Sequence, residues 1–287
     1  MWIRLPEESM HPEIERLIKE NHDLGPILKF YGLLLEKQES SRPDDLSPLI
    51  DISKNSIKDR LADGNPLIDP SKTVLLDLKN SIDLFFIILE LIKDASDQFR
   101  HQTEEVRDRI ERTDIEAAMK AVLSGNKEEF RRLTERLALS EEMLFLLAGL
   151  SLAPSLRLLS SMVQDNFDIA WWDEPFCPIC GELPNMANIE EEGRHLYCTF
   201  CWTEWKYKGP GCLLCGVDDK KMVGLLRIKD EDRYHLSICG NCNGYTKIID
   251  KRYLSKKTDK HIFNILSLPL EIIARQKGHK GPANFSI

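Results

Sequence analysis

Cysteine is missing from the first 176 residues of this 287-residue chain and from the last 45; all eight cysteines lie between Cys177 and Cys242. A disulfide framework could serve only that segment, and a reducing compartment suits the distribution better. Long apolar runs are missing too. The longest, Leu84 to Leu89 and Met143 to Ala153, fall well below the roughly 20 residues of a spanning helix, so no membrane insertion is expected. The opening Met1-Trp2-Ile3-Arg4-Leu5-Pro6 has one basic residue and no apolar stretch behind it. That is unlike a secretory signal, and the expected location is cytoplasmic.

Positive charge is in deficit. Lys and Arg number 39 against 47 Asp and Glu, a net charge of −8, which excludes a general basic surface that coats nucleic acid. Neither a Gly-rich phosphate loop nor a His-Glu-x-x-His helix occurs in the sequence, and no nucleophile stands with a base and an orienting group. No catalytic residue is assigned, and the chain is not read as an enzyme.

What is present suffices for a core. Hydrophobic residues make up 42% of the chain, and the length suggests about two domains. Residues 171–287 carry 17 basic and 15 acidic groups, leaving 22 and 32 for residues 1–170, so the two parts differ in character. Residues 12–22 and 26–39 read as amphipathic helices. A longer helical pattern starts after Pro70, with Ser71 as a candidate N-cap and a buried stripe through Leu76, Ile82, Phe85 and Leu89. It is expected to run on through the charged stretch 94–112, read as a solvated face. Thr113 is the expected N-cap of the next helix and Gly125 its stop. Helices at 127–138 and 140–162 follow, with Leu144 and Leu147 in the core and Pro154 kinking or dividing the last.

Near residue 170 the composition turns to Cys, Gly, Pro and aromatics, with strand-like pieces at 225–228 and 245–249. The last apolar pattern, Ile262 to Ile273, reads as one or two short helices divided by Pro269. The expected class is α+β: a helical domain over 1–170, two small metal modules over 171–208 and 209–250, and a helical tail over 251–287.

Every cysteine belongs to a Cys-x-x-Cys doublet: Cys177/Cys180, Cys198/Cys201, Cys212/Cys215 and Cys239/Cys242. Two thiolates three positions apart in a tight turn can point at one ion, because a following glycine permits positive φ and backbone N–H groups then donate to sulfur. Gly181 and Gly216 hold that position, and Gly240 lies inside the fourth doublet. Four doublets make two four-cysteine sites for two ions, iron or zinc. Spacings of 17 residues between the first two doublets and 23 between the last two make sequential pairing simplest, with interleaved pairing the alternative. His195 and His235 precede doublets but are not needed as ligands.

The chain resembles the FdhE family of formate dehydrogenase accessory proteins. The resemblance rests on Cys177-Pro178-Ile179-Cys180-Gly181, Arg194-His195-Leu196-Tyr197-Cys198-Thr199-Phe200-Cys201-Trp202-Thr203-Glu204-Trp205, Cys212-Leu213-Leu214-Cys215-Gly216 and Cys239-Gly240-Asn241-Cys242. It implies a helical domain joined to two rubredoxin-like modules, iron in at least some members, and action on the catalytic subunit of formate dehydrogenase, or of a related molybdenum or tungsten enzyme, during maturation. Trp202, Thr203, Glu204 and Trp205 are candidate partner-binding residues, set against a packing role around the metal. Two other functions compete: a zinc-ribbon nucleic-acid binder, disfavoured because Asp218, Asp219, Asp230, Glu231 and Asp232 interrupt the lysines and arginines, and a rubredoxin-type electron carrier, which would not need the helical region.

Overall fold

The computed structural model describes residues 12–46, 54–68, 76, 78–95, 97–190, 193–209, 211–229, 231–253 and 262–281. The expected cap at Ser71 lies outside them. The chain forms two compact units, one of Met1–Asp51 with Ile68–Leu159, the other of Ile52–Leu67 with Ser160–Ile287.

The first unit is helical among its described residues. It contains α1 (Pro12–Glu20), α2 (Gly25–Ser40), α4 (Leu78–Ala95), α5 (Asp97–Arg109), α6 (Arg112–Ser124), α7 (Lys127–Leu137) and most of α8 (Glu141–Asn166). Leu76, Phe85, Leu89, Leu144 and Leu147 are all buried, as their 3–4 spacing requires. The pattern from 78 to 112 is two helices rather than one. α5 folds back on α4, with the Arg107 guanidinium 4.4 Å from the Phe86 ring centre. The N-cap of α6 is Glu111, not Thr113: Glu111 is extended and forms a reciprocal capping box with Asp114, whose carboxylate accepts from the Glu111 N–H at 3.0 Å. Gly125 closes α6 at φ 64°, where a side chain would be strained.

Pro154 does not divide the last helix in two; α8 runs through it for 26 residues. Proline lacks the N–H that would bond the carbonyl of residue 150. The buried Gln38 supplies the missing donor at 2.7 Å, and its own carbonyl accepts from Arg157 at 2.8 Å. By length and composition α8 could cross a membrane, a point that reading uninterrupted runs alone misses. Leu144, Leu147, Leu152, Leu156, Leu159 and Val163 along it are buried.

The second unit holds α3 (Lys54–Ala62), a six-stranded mixed sheet, and the short helices α9 (Phe263–Leu266) and α10 (Leu268–Gln276). The strands are β1 (Met186–Glu190), β2 (Gly193–Tyr197), β3 (Glu204–Lys206), β4 (Val223–Arg227), β5 (Tyr234–Cys239) and β6 (Tyr245–Asp250), in the order β3-β2-β1-β6-β5-β4. All neighbours are antiparallel except β1 and β6, which run parallel with Met186 beside Lys247. That ladder merges two three-stranded ribbons into one sheet. Met186 and Tyr197 from one ribbon share a core with Tyr234, Leu236, Tyr245 and Ile249 from the other, and Phe263, Leu270 and Ala274 of the terminal helices complete it. Inside lies one charged pair, Lys247 Nζ to Glu271 at 2.5 Å; burial pushes the Lys247 ammonium down and Glu271 pulls it back up.

Candidate metal centres

Each doublet sits in the same kind of turn. The N–H of the first cysteine donates to the carbonyl five residues on: Cys177 to Glu182, Cys198 to Thr203, Cys212 to Val217 and Cys239 to Gly244, at 2.8–2.9 Å. The residue after the second cysteine is left-handed every time: Gly181 at φ 77°, Trp202 at 65°, Gly216 at 70° and Asn243 at 58°. This conformation rolls the chain back so that both sulfurs point inward. Two of the four positions are not glycine, which is why glycine alone marks only half the turns. Gly240 is not among the residues with positive φ; Asn243 has that role in the fourth doublet, asparagine being the residue that tolerates it best after glycine.

The fold brings the eight sulfurs together as two quartets in sequential pairing: Cys177, Cys180, Cys198 and Cys201, then Cys212, Cys215, Cys239 and Cys242. Within the first, sulfurs stand 3.4 Å (Cys177 to Cys201), 3.6 Å (Cys180 to Cys198) and 3.7 Å (Cys180 to Cys201) apart. Within the second, Cys212 to Cys242 is 3.8 Å and Cys215 to Cys239 is 3.7 Å. A tetrahedral ion about 2.3 Å from each sulfur sets neighbouring sulfurs about 3.8 Å apart, so each quartet could hold one metal ion. All-sulfur donation suits zinc and mononuclear iron alike.

The surroundings fit an anionic sulfur shell. The N–H groups of Ile179 and Leu214 each point at the first sulfur of their doublet, at 3.4 Å, and the Asn241 amide donates to Cys215 at 3.5 Å. The Thr203 hydroxyl lies 2.9 Å from the Cys201 sulfur and 2.7 Å from the Ser160 hydroxyl, which accepts from the Gln164 amide at 2.8 Å. With the Cys201 thiolate as terminal acceptor, the chain runs Gln164 to Ser160 to Thr203 to sulfur. Burial raises the Cys180 and Cys198 thiols well above their ordinary value; at Cys201 burial is outweighed by hydrogen bonds from Cys177, Cys180, Cys198 and Thr203. Four desolvated sulfurs cannot all be charged without a cation among them.

The quartets differ in exposure. Three cysteines of the first are buried, one of the second, and Cys215 is exposed. Of the four residues expected to meet a partner, Thr203 and Trp205 are buried and Trp202 and Glu204 half-buried. The Trp205 indole donates to the Glu174 carbonyl at 3.0 Å, and Trp202 packs beside the apolar core of the sheet. Glu204 accepts from Asn188 at 2.9 Å and from Lys251 at 3.0 Å. The C-terminal segment, unmarked in the sequence, clasps the fourth doublet: the Lys280 N–H donates to the Asn243 carbonyl and the Asn243 amide to the Gly278 carbonyl, at 2.9 and 2.8 Å.

Fold and site together define a class: a protein with a helical unit and a zinc-ribbon-like sheet bearing two four-cysteine clusters, each of which could hold a metal ion. Residues 176–208, which hold the whole first quartet, match the family described as FdhE, central domain. Over 262 residues the chain is 26% identical to "Protein FdhE homolog" of Aquifex aeolicus (strain VF5), covering 88% of this chain and 84% of that one. Over 242 residues it is 24% identical to the protein of the same name from Erwinia tasmaniensis, covering 81% and 72%. Its fold matches the crystal structure of the FdhE protein from Pseudomonas aeruginosa with a TM-score of 0.65 at 19% identity, over 99% of this chain and 97% of that one. The chain is thus similar to FdhE proteins in sequence over most of its length and to the Pseudomonas aeruginosa FdhE protein in fold.

Proposed function

We propose that this protein is an accessory factor that binds the catalytic subunit of a formate dehydrogenase, or of a related molybdenum or tungsten oxidoreductase, in the cytoplasm and is required for its activity without turning over substrate. The observation that carries the reading is the FdhE central-domain match, which coincides with the first cysteine quartet. FdhE relatives matching four-fifths or more of the chain support the coarser statement, a formate dehydrogenase accessory protein.

In this reading all eight cysteines are ligands, holding two ions of iron or zinc. Four thiolates around each ion leave no open position for water or substrate, which favours a structural or electron-accepting ion over hydrolytic chemistry. The chain's own contribution is to shape the sheet: the turns fix the sulfurs, and Thr203 and Trp205 brace the first turn from within. Trp202 and Glu204, the half-buried members of that motif, are the ones a client could reach.

The test is a deletion of the gene in its host together with an anaerobic pull-down on the tagged, full-length protein. Loss of formate dehydrogenase activity, with the catalytic subunit recovered on the bait, is the expected result. Unchanged activity and no subunit on the bait would overturn the proposal and favour the nucleic-acid alternative.

A further inference from the structure

The sheet carries a third group of metal-ligating side chains that contains no cysteine. Glu190 at the end of β1, His195 on β2 and Glu204 on β3 each place a ligand atom within 4.8 Å of the other two. The register explains why. Asn188 pairs with His195, and Glu204 pairs with Tyr197 two positions along β2, so all of them share the face that bears the apolar core of Met186 and Tyr197. At this end of the strands the core gives way to a polar cluster.

Two buried polar atoms there have no partner among the described residues. Asn188 is fully buried; its amide nitrogen donates to Glu204, yet its Oδ1 accepts nothing. The His195 Nδ1 is likewise buried and without a hydrogen bond, 4.0 Å from Glu190 Oε2. That is too long for a hydrogen bond but falls within the separation of two ligands about 2.1 Å from a common ion. A buried polar atom left unsatisfied is costly, and a cation held by the cluster would satisfy the His195 Nδ1. Lys251 bonds Glu190 Oε1 and Glu204 Oε1, so one ammonium already draws the two carboxylates together.

We propose that Glu190, His195 and Glu204 form a site for one divalent first-row transition cation, separate from both cysteine quartets. Mixed imidazole and carboxylate donors suit zinc, manganese or ferrous iron rather than calcium or magnesium. Bound there, the ion ties β1, β2 and β3 together, and Lys251 is its competitor for the two carboxylates. Glu204, in the motif Trp202-Thr203-Glu204-Trp205, acquires a ligand role that does not depend on a client.

The experiment is equilibrium dialysis of the full-length protein, its cysteine quartets filled with zinc, against micromolar Zn²⁺, with metal content read by elemental analysis. The wild type should hold one equivalent more than His195→Ala and one more than Glu204→Gln, both variants keeping the wild-type far-UV circular dichroism and thiolate-bound zinc. Lys251→Met should hold the extra equivalent at lower free zinc, by several-fold, because the competing ammonium is gone. Equal zinc in the wild type and the two ligand variants would overturn the proposal, as would an extra equivalent bound more weakly by Lys251→Met.

Discussion

A left-handed residue must follow each cysteine doublet, and the side chain at that point decides the cost. Left-handed backbone costs an ordinary L-residue roughly 1–2 kcal/mol, glycine almost nothing and asparagine little. At Gly216 a Cβ would meet nothing within 4 Å, whereas at Gly181 it would stand 3.1 Å from Pro66 Cγ. Gly216→Ala should therefore lower stability by about 1 kcal/mol, Gly181→Ala by more, and Gly216→Asn hardly at all, as Asn243 shows by its place in the fourth turn. Denaturant midpoints of the metal-loaded variants check this; a Gly216→Asn protein as unstable as the Gly216→Ala protein would refute the conformational argument. The Thr203 hydroxyl makes a second case. Thr203→Val removes the donor to Cys201 and leaves the Ser160 O–H without its acceptor, so protein reconstituted with iron should show a lower reduction potential, because hydrogen bonds to sulfur favour the more negative, reduced form. Voltammetry reads it, and Thr203→Ser should restore the wild-type value. The gathering of all eight cysteines into two quartets was legible in the sequence because four-sulfur sites admit one residue type in a narrow spacing. Thr203 stood out there only as a candidate partner contact or packing residue; its hydrogen bond to Cys201 and the Ser160 relay behind it did not, because Ser160 lies 43 residues away.

Among elements, the helices were the legible part and the strands the obscure one. Helix stripes recur at 3–4 residues over several turns, so Phe85, Leu89, Leu144 and Leu147 announced themselves. Strands of three to six residues carry too few periods to read; only the neighbourhoods of β4 and β6 were anticipated, while β1, β2, β3 and β5 were not. The parallel β1–β6 ladder joins segments about 60 residues apart, and no local signal encodes it. Pro154 shows how tertiary structure overrules a local rule. Its freed carbonyl at Leu150 is met by Gln38, 112 residues away. Gln38→Leu should destabilise the protein by about 1–3 kcal/mol, since the Leu150 carbonyl would stay buried and unpaired. Pairing Gln38→Leu with Pro154→Ala should return most of the loss, because alanine restores the helical N–H at 154. Urea titration of the single and double variants measures the coupling, and additive losses would count against the account.

At the scale of the second unit, the question is whether the two quartets act separately. The sequence suggests separate modules, each with its own pair of doublets. The structure instead shows one sheet with one apolar core drawn from both ribbons, Met186 and Tyr197 beside Tyr234 and Tyr245. Small four-cysteine turns bury little apolar surface, so the free energy of ion binding is largely folding free energy. A shared core then links the two. If each quartet holds an ion, loss of the second would loosen β5 and β6, on which β1 leans through the parallel ladder, and binding at the first quartet would have to re-form that edge. The order of loss follows from exposure: Cys215 is exposed and three of the first four cysteines are buried, so a chelator should strip the second quartet first. Cys212→Ser with Cys215→Ser should consequently weaken ion binding at the intact first quartet by at least about tenfold, which corresponds to about 1.4 kcal/mol of coupling. Competition against a chromophoric chelator gives the affinity directly, with Trp205 fluorescence reporting on the first turn. An unchanged first-site affinity would mean that the ribbons fold independently and that the ladder between β1 and β6 transmits nothing.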